Sequence, residues 1–224
     1  MNYIYLLLET FLVFFLMFLF YKMKKKDGLF LYILLISSIL STTMYKFISV
    51  LSFQVNTGIP MVMAVFICSN IIVQKYGFDE VKKIIKTFIC GYVSTFVLIS
   101  LASIICSNSY NYIVNVSFDS LFGYNLNTLR IFLAGLIAIS LMLWYNGSTY
   151  YYIRRSKNKI LFSNIGTICI IQFLESIIFI TMSYIGLFDL IEIFGMIVVR
   201  YLIKVVIGLI GLALVLKLVK MKDK

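Results

Sequence analysis

The segment IPMVMAVFICSNIIVQKYGFDEVKK, residues 59–83, decides the architecture. Its apolar run, 59–75, approaches the roughly 20 residues needed to cross a hydrocarbon core, and Lys75, Lys82 and Lys83 follow it. This is a membrane helix with a basic flank. Ser69, Asn70 and Gln74 interrupt the run, and a lipid-facing position offers no water to satisfy an amide. Such side chains must face protein or a polar cavity.

The rest of the chain repeats the pattern. Of its 224 residues, 62% are hydrophobic, 13% are charged and one is proline, which excludes a water-soluble domain. The apolar runs predict an all-α, polytopic membrane helix bundle with seven spans: 3–21, 29–53, 59–75, 84–106, 128–153, 160–188 and 193–216. We read one transmembrane domain, 1–224. Residues 1–27 form an extra N-terminal helix and basic loop, and 28–224 form a six-helix core.

Basic residues alternate with the connections. Lys22, Lys24, Lys25 and Lys26 follow the first span. Lys75, Lys82, Lys83 and Lys86 surround the third connection, and Arg154, Arg155, Lys157 and Lys159 fill the fifth. Lys217, Lys220, Lys222 and Lys224 close the chain, whereas 54–58, 107–127 and 189–192 contain no lysine or arginine. Positive loops stay cytoplasmic, so the expected placement is multi-pass in the cell membrane, N-terminus outside and C-terminus cytoplasmic. The net charge of +11 is thereby spent on lipid anchors, which argues against a nucleic-acid partner. The first span carries its charges after the apolar run and lacks a small-residue cleavage site, so it reads as an uncleaved helix.

Several chemistries are disfavoured. The chain has no histidine and no glycine-rich phosphate loop. Cys68, Cys90, Cys106 and Cys169 form no C-x-x-C pair, so neither a disulfide framework nor a metal site is expected. We expect no catalytic residue, no cofactor and no enzymatic activity. The connection 107–127, polar and aromatic, reads as a solvated loop, with an extracellular lid as the alternative.

Within the spans the ionisable residues are Glu9, Lys46, Arg130, Glu175, Arg200 and Lys204. Glu9, Arg130 and Lys46 lie near span ends, where side chains can reach an interface. Glu175 is too short-armed to do so. Lys204 is equally central in the last span, with Arg200 one turn away on the same face. The amides complete the set: Asn70 and Gln74 share one helix face, Gln172 shares the face of Glu175, and Asn146 follows Trp144. Isolated amides serve as interhelical glue, and a Glu175–Lys204 pair could simply pin two helices. Amides on three helices with a central carboxylate and lysine favour a polar binding cavity. Spans two to four and five to seven run in opposite senses, each with a polar pair on its middle helix, the layout of a 3+3 inverted repeat.

These residues carry a resemblance. SNIIVQKYGFDEVKKII resembles the T/S-D-x-x-x-E-x-Y-G hallmark of the queuosine precursor transporters, the vitamin uptake transporter-like family. The likeness extends through LRIFLAGLIAISLMLWYNGSTYYYIRR, NIGTICIIQFLESIIFITMSYIG and RYLIKVVIGLIGLALVLKLVK, and to KKKDGLFLYILL after the extra first helix. The resemblance implies a carrier for 7-deazaguanines such as preQ0, preQ1 or queuine, salvaged for tRNA modification. Its implied partners are a small heterocyclic substrate and the lipid bilayer, with a homo-oligomer left open. The implied substrate-binding residues are Asn70, Gln74, Asn146, Gln172, Glu175, Lys204, Arg130, Tyr76 and Trp144, with Tyr145 and Phe173 as further wall residues. A carboxylate such as Glu175 would accept the paired N–H donors of a guanine-like edge. Where the family has aspartate, glutamate and aspartate, this chain has Asn70, Gln74 and Asn146, and Glu175 replaces a further aspartate. Amides can read a purine edge but cannot carry a proton or neutralise a cation. Alternative readings are the substrate-binding subunit of an energised vitamin importer, or a non-transporting membrane sensor or scaffold.

Overall fold

The computed structural model describes residues 2–50, 52–105, 116–119, 122–123, 125–157 and 160–220. The loop expected at 107–127 lies largely outside them. The long helices are α1 (Asn2–Thr43), α2 (Ile59–Tyr76), α3 (Val81–Ile104), α4 (Leu126–Lys157), α5 (Ile160–Tyr184) and α6 (Leu190–Lys220). All six are long and apolar enough to cross a membrane.

α1 is a hairpin of two arms, 2–24 and 26–43, broken at Lys25 (φ 50°, ψ −118°). Tyr32 donates its hydroxyl to the Val13 carbonyl at 2.8 Å. A straight helix would hold those residues about 28 Å apart at 1.5 Å per residue. The arms close tightly at Gly28, where a Cβ would stand 2.0 Å from the Phe20 carbonyl oxygen. Each arm buries a stripe at helical spacing: Val13, Phe14, Met17 and Tyr21 on the first, Leu29, Tyr32, Ile33, Ile36 and Leu40 on the second. Counting the two arms separately, the described residues hold seven long apolar helical segments within six helices.

The second segment is shorter than expected. Its helix ends at Thr43, and the chain then forms an antiparallel hairpin, β1 (Phe47–Val50) with β2 (Phe53–Asn56), pairing Phe47 with Asn56 and Val50 with Phe53. Ser52 takes a left-handed conformation (φ 68°) at the turn. Apolar, β-branched runs such as FISV suit a buried strand as well as a helix end, so continuous hydropathy across 29–53 conceals the change. Pro60 then opens α2 in the first turn, where its missing N–H costs nothing.

α2 is the axis of the bundle. Every residue from Ile59 to Val73 is buried, whereas α3 turns Leu98, Leu101 and Ile104 outward. A helix apolar on all sides belongs in the interior. The two trios do not pack alike. The second arm of α1 lies on α3 and leaves α2 and α3 barely touching, while α4, α5 and α6 each pack on the next. The expected 3+3 inverted repeat is therefore not reproduced in the helix pairings.

Candidate functional site

The polar side chains sort into two layers. The first ties α2 to α4 and α5. Asn146 donates to Ser69 Oγ (2.8 Å) and to Asn70 Oδ1 (2.6 Å), while Asn70 donates to Asn164 Oδ1 (3.0 Å). One turn further, Tyr150 donates its hydroxyl to Gln74 Oε1 (2.6 Å). Asn70 with Asn146 and Gln74 with Tyr150 form successive rungs between two parallel helices, because both helices advance one turn every 3.6 residues. On the buried axis, each of these side chains finds a partner within the protein, with Asn146 Oδ1 alone among the Asn70 and Asn146 amide atoms left unbonded.

The second layer is ionic. Glu175 accepts from Arg200 through one oxygen at 3.0 Å and from Lys204 through the other. All three side chains are fully enclosed. Arg200 also donates to Asn56 Oδ1 on β2 and lays its guanidinium 4.1 Å from the centre of the Phe179 ring. Arg200 and Lys204 are four apart on α6, so one helix face presents both cations to one carboxylate. Phe53 lies over Gly195, where a Cβ would come within 1.9 Å of its ring, and Phe47 packs edge-on against Tyr184 at 5.8 Å. The β-hairpin therefore covers this layer from one end of the bundle.

Around the ionic layer several buried polar atoms bond to nothing in the protein: Nε of Arg200, Nδ2 of Asn56, Oε1 of Gln172, Oγ of Ser183 and the Tyr184 hydroxyl. Gln172, Glu175, Phe179 and Ser183 recur at three- and four-residue spacing and form one stripe along α5. Buried polar atoms are nearly always bonded, so a concentration of orphans calls for a ligand or water. Donors and acceptors are both represented.

Residues 56–218, well over half the chain, match the family model described as "Putative vitamin uptake transporter". The chain belongs to this vitamin uptake transporter family. It is a multi-pass membrane protein of a family for small-molecule uptake. No curated protein and no solved structure matches the chain. The match begins at the end of β2 and takes in both polar layers, while α1 and β1 precede it.

The transporter does not gather all the residues expected from sequence into one cavity. Asn164 and Glu175 are eleven residues apart on α5, so the layers lie about 16 Å apart along the helix axis. Gln172, Glu175 and Lys204 fall in or beside the ionic layer, and Asn70, Gln74 and Asn146 in the amide layer. Arg130 joins neither. Its Nε donates to the Met182 carbonyl at 2.8 Å and its fork to that of Ile185, satisfying the end of α5. Trp144 is 45% exposed on the outer surface of α4, and Tyr145 and Phe173 also face outward. Their large rings and proximity to polar residues suggest a wall only until the helix is rotated into place. Tyr76 lies at the lysine-rich end, beneath the Lys26 ammonium at 5.4 Å.

Three participants, Asn164, Asn56 and Tyr150, were not anticipated, and a fourth, Ser69, was seen without its partner. Asn164 lies on the same side of α5 as Gln172 and Glu175, so that spacing was an available signal. Asn56 falls in the connection 54–58, and nothing in the sequence singles out Tyr150; pairing across distant elements, which the sequence does not display, brings them in. Ser69 was noticed as an interruption, without its bond to Asn146. A groove of about 600 Å³ opens at the lysine-rich end beside Lys26, Glu80, Lys83 and Lys86. None of the residues of the two polar layers lines it.

Proposed function

We propose that this family member carries a small planar heterocycle through the bundle, with the ionic layer as its binding site and the amide layer as the fastening of the central helix. The supporting observation is the fully buried Glu175–Arg200–Lys204 cluster with unbonded polar atoms of Asn56 and Gln172 beside it. Intramembrane charges cost several kcal/mol each, so a cluster of three is retained for a reason beyond packing. The resemblance in sequence points to 7-deazaguanines such as preQ0, preQ1 or queuine. A guanine-like edge combines donors and a carbonyl acceptor, which suits Gln172 Oε1 on one side and the Asn56 and Arg200 donors on the other.

In this reading the cluster is enclosed and the β-hairpin is the element that must shift to admit substrate. The lysine-rich end is cytoplasmic, the hairpin end external, and the protein acts as a carrier with no chemical step. Accessibility of a cysteine placed at Asp189 to an impermeant reagent tests the orientation; labelling only from the cytoplasmic side would reverse it. Uptake of labelled preQ0, preQ1, queuine and 7-carboxy-7-deazaguanine into cells lacking their own synthesis and salvage tests the substrate class. Accumulation dependent on this chain supports the reading, and no accumulation of any of the four refutes it.

A further inference from the structure

The charges of the ionic layer do not balance. Arg200 and Lys204 bring two positive charges to the single negative charge of Glu175, and all three side chains are fully buried. The chain has nine acidic residues, and the others are placed elsewhere. Asp27, Asp79, Asp119, Asp189 and Glu192 are exposed, and Asp223 lies outside the described residues. Glu80 is bound to Lys26 and Lys83 at the lysine-rich end. Glu9 is half-buried, in a cavity wall with its own cation, Lys46. The remaining polar neighbours, Asn56, Gln172, Ser183 and Tyr184, are neutral groups.

With Arg200 and Lys204 both protonated, one buried positive charge is left over in an apolar bundle, where an uncompensated ion is expensive. We propose that the substrate is an organic anion, a planar heterocycle bearing a carboxylate or an equally acidic group, whose charge completes the cluster. This rests on the ionic layer being the substrate site. The anion brings the sum of the cluster to zero, so the loaded carrier presents no net charge to the bilayer at that depth. It also meets donors that have no protein partner: Nε of Arg200, which a planar oxyanion can share with the guanidinium edge, and Nδ2 of Asn56. Gln172 Oε1, an acceptor, remains to take a ring N–H.

Three compounds with one ring isolate the charge: 7-carboxy-7-deazaguanine, preQ0 and preQ1 carry a carboxylate, a nitrile and an aminomethyl group. Binding to the purified full-length protein should fall in that order, with the carboxylate ahead of the nitrile by about tenfold or more. Preference for preQ1, or three equal affinities, overturns the proposal. Lys204→Met should erase the advantage of the carboxylate; if the advantage persists, Lys204 is not the charge that reads it. The same variant tests the charge count without ligand. Removing one of two cations leaves a matched pair, so its thermal midpoint should equal or exceed that of the wild type. A clear drop shows that the cluster is already balanced and refutes the inference. If none of the three compounds binds, the 7-deazaguanine reading fails, and this midpoint still decides the charge claim.

Discussion

Asn146 donates to the side-chain oxygen of Asn70 at 2.6 Å, and that bond fastens α2, buried at every residue from Ile59 to Val73, to α4. Asn70 also donates to Asn164, so it is the centre of a three-helix contact. In Asn70→Leu, Asn146 and Asn164 each lose a buried partner. We expect a stability loss of roughly 1–2 kcal/mol, seen as a lower thermal midpoint in detergent. Substrate affinity of the folded fraction should change little, because the amide layer is remote from Glu175. Lost binding with an unchanged midpoint would instead make Asn70 a ligand contact.

Glu175 holds two cations. Glu175→Gln removes the negative charge at nearly constant shape and leaves Arg200 and Lys204 buried together. Breaking a buried pair in this way costs roughly 3–5 kcal/mol. Thermal unfolding of Glu175→Gln should show a severe loss. Lys204→Met in the same background should recover part of it by removing a repelling charge. Additive losses in the double variant would mean that the two residues do not interact.

At the lysine-rich end Glu80 pairs with Lys26 and Lys83 and is the group expected to sense acid. Burial by itself would raise the Glu80 carboxyl, but the hydrogen bonds and charges of Lys26 and Lys83 outweigh it and hold the pKa below the usual 4.5. A carboxyl with a depressed folded-state pKa stabilises the protein above its unfolded value. That contribution is lost as pH falls through the folded value. The wild-type midpoint should therefore fall as the pH drops below about 4.5, over a window that Glu80→Gln lacks. Parallel pH curves for the two proteins would show that Glu80 is not the sensor.

The β-hairpin offers a lock. A Cβ on Gly195 would stand within 2.5 Å of the Phe53 ring, so the two positions face each other, and a Phe53→Cys, Gly195→Cys pair, in a background with Cys68, Cys90, Cys106 and Cys169 replaced, is the place to cross-link the hairpin to α6. Oxidation should stop uptake and reduction restore it. Uptake that continues in the fully cross-linked protein would mean that substrate enters without movement of the hairpin.

What could be read from sequence follows from how far each signal reaches. Apolar runs near 20 residues and the alternation of basic loops reveal the segments, because both act along the chain. Glu175 and Lys204 stand out because short or central charged side chains cannot escape the bilayer. The hairpin at 47–56 was hidden, since buried strand and helix share the same continuous hydropathy. Partnerships were hidden as well. Asn70 and Glu175 seemed to belong to one cavity because both are polar and central, but depth along each helix, fixed only by packing, separates them. Trp144 misled for a related reason: a residue two positions from Asn146 points to another side of the helix.

The central claim, that substrate binds beside Glu175, is tested most directly at Gln172. Its Oε1 is buried and bonds to nothing in the protein, so Gln172→Leu removes an unpaired acceptor. Affinity should be measured with whichever of preQ0, preQ1, queuine and 7-carboxy-7-deazaguanine the wild type binds, alongside the thermal midpoint of the ligand-free protein. The account predicts an unchanged or raised midpoint together with an affinity lower by about tenfold or more. Wild-type affinity in Gln172→Leu would contradict it and place the substrate elsewhere in the bundle.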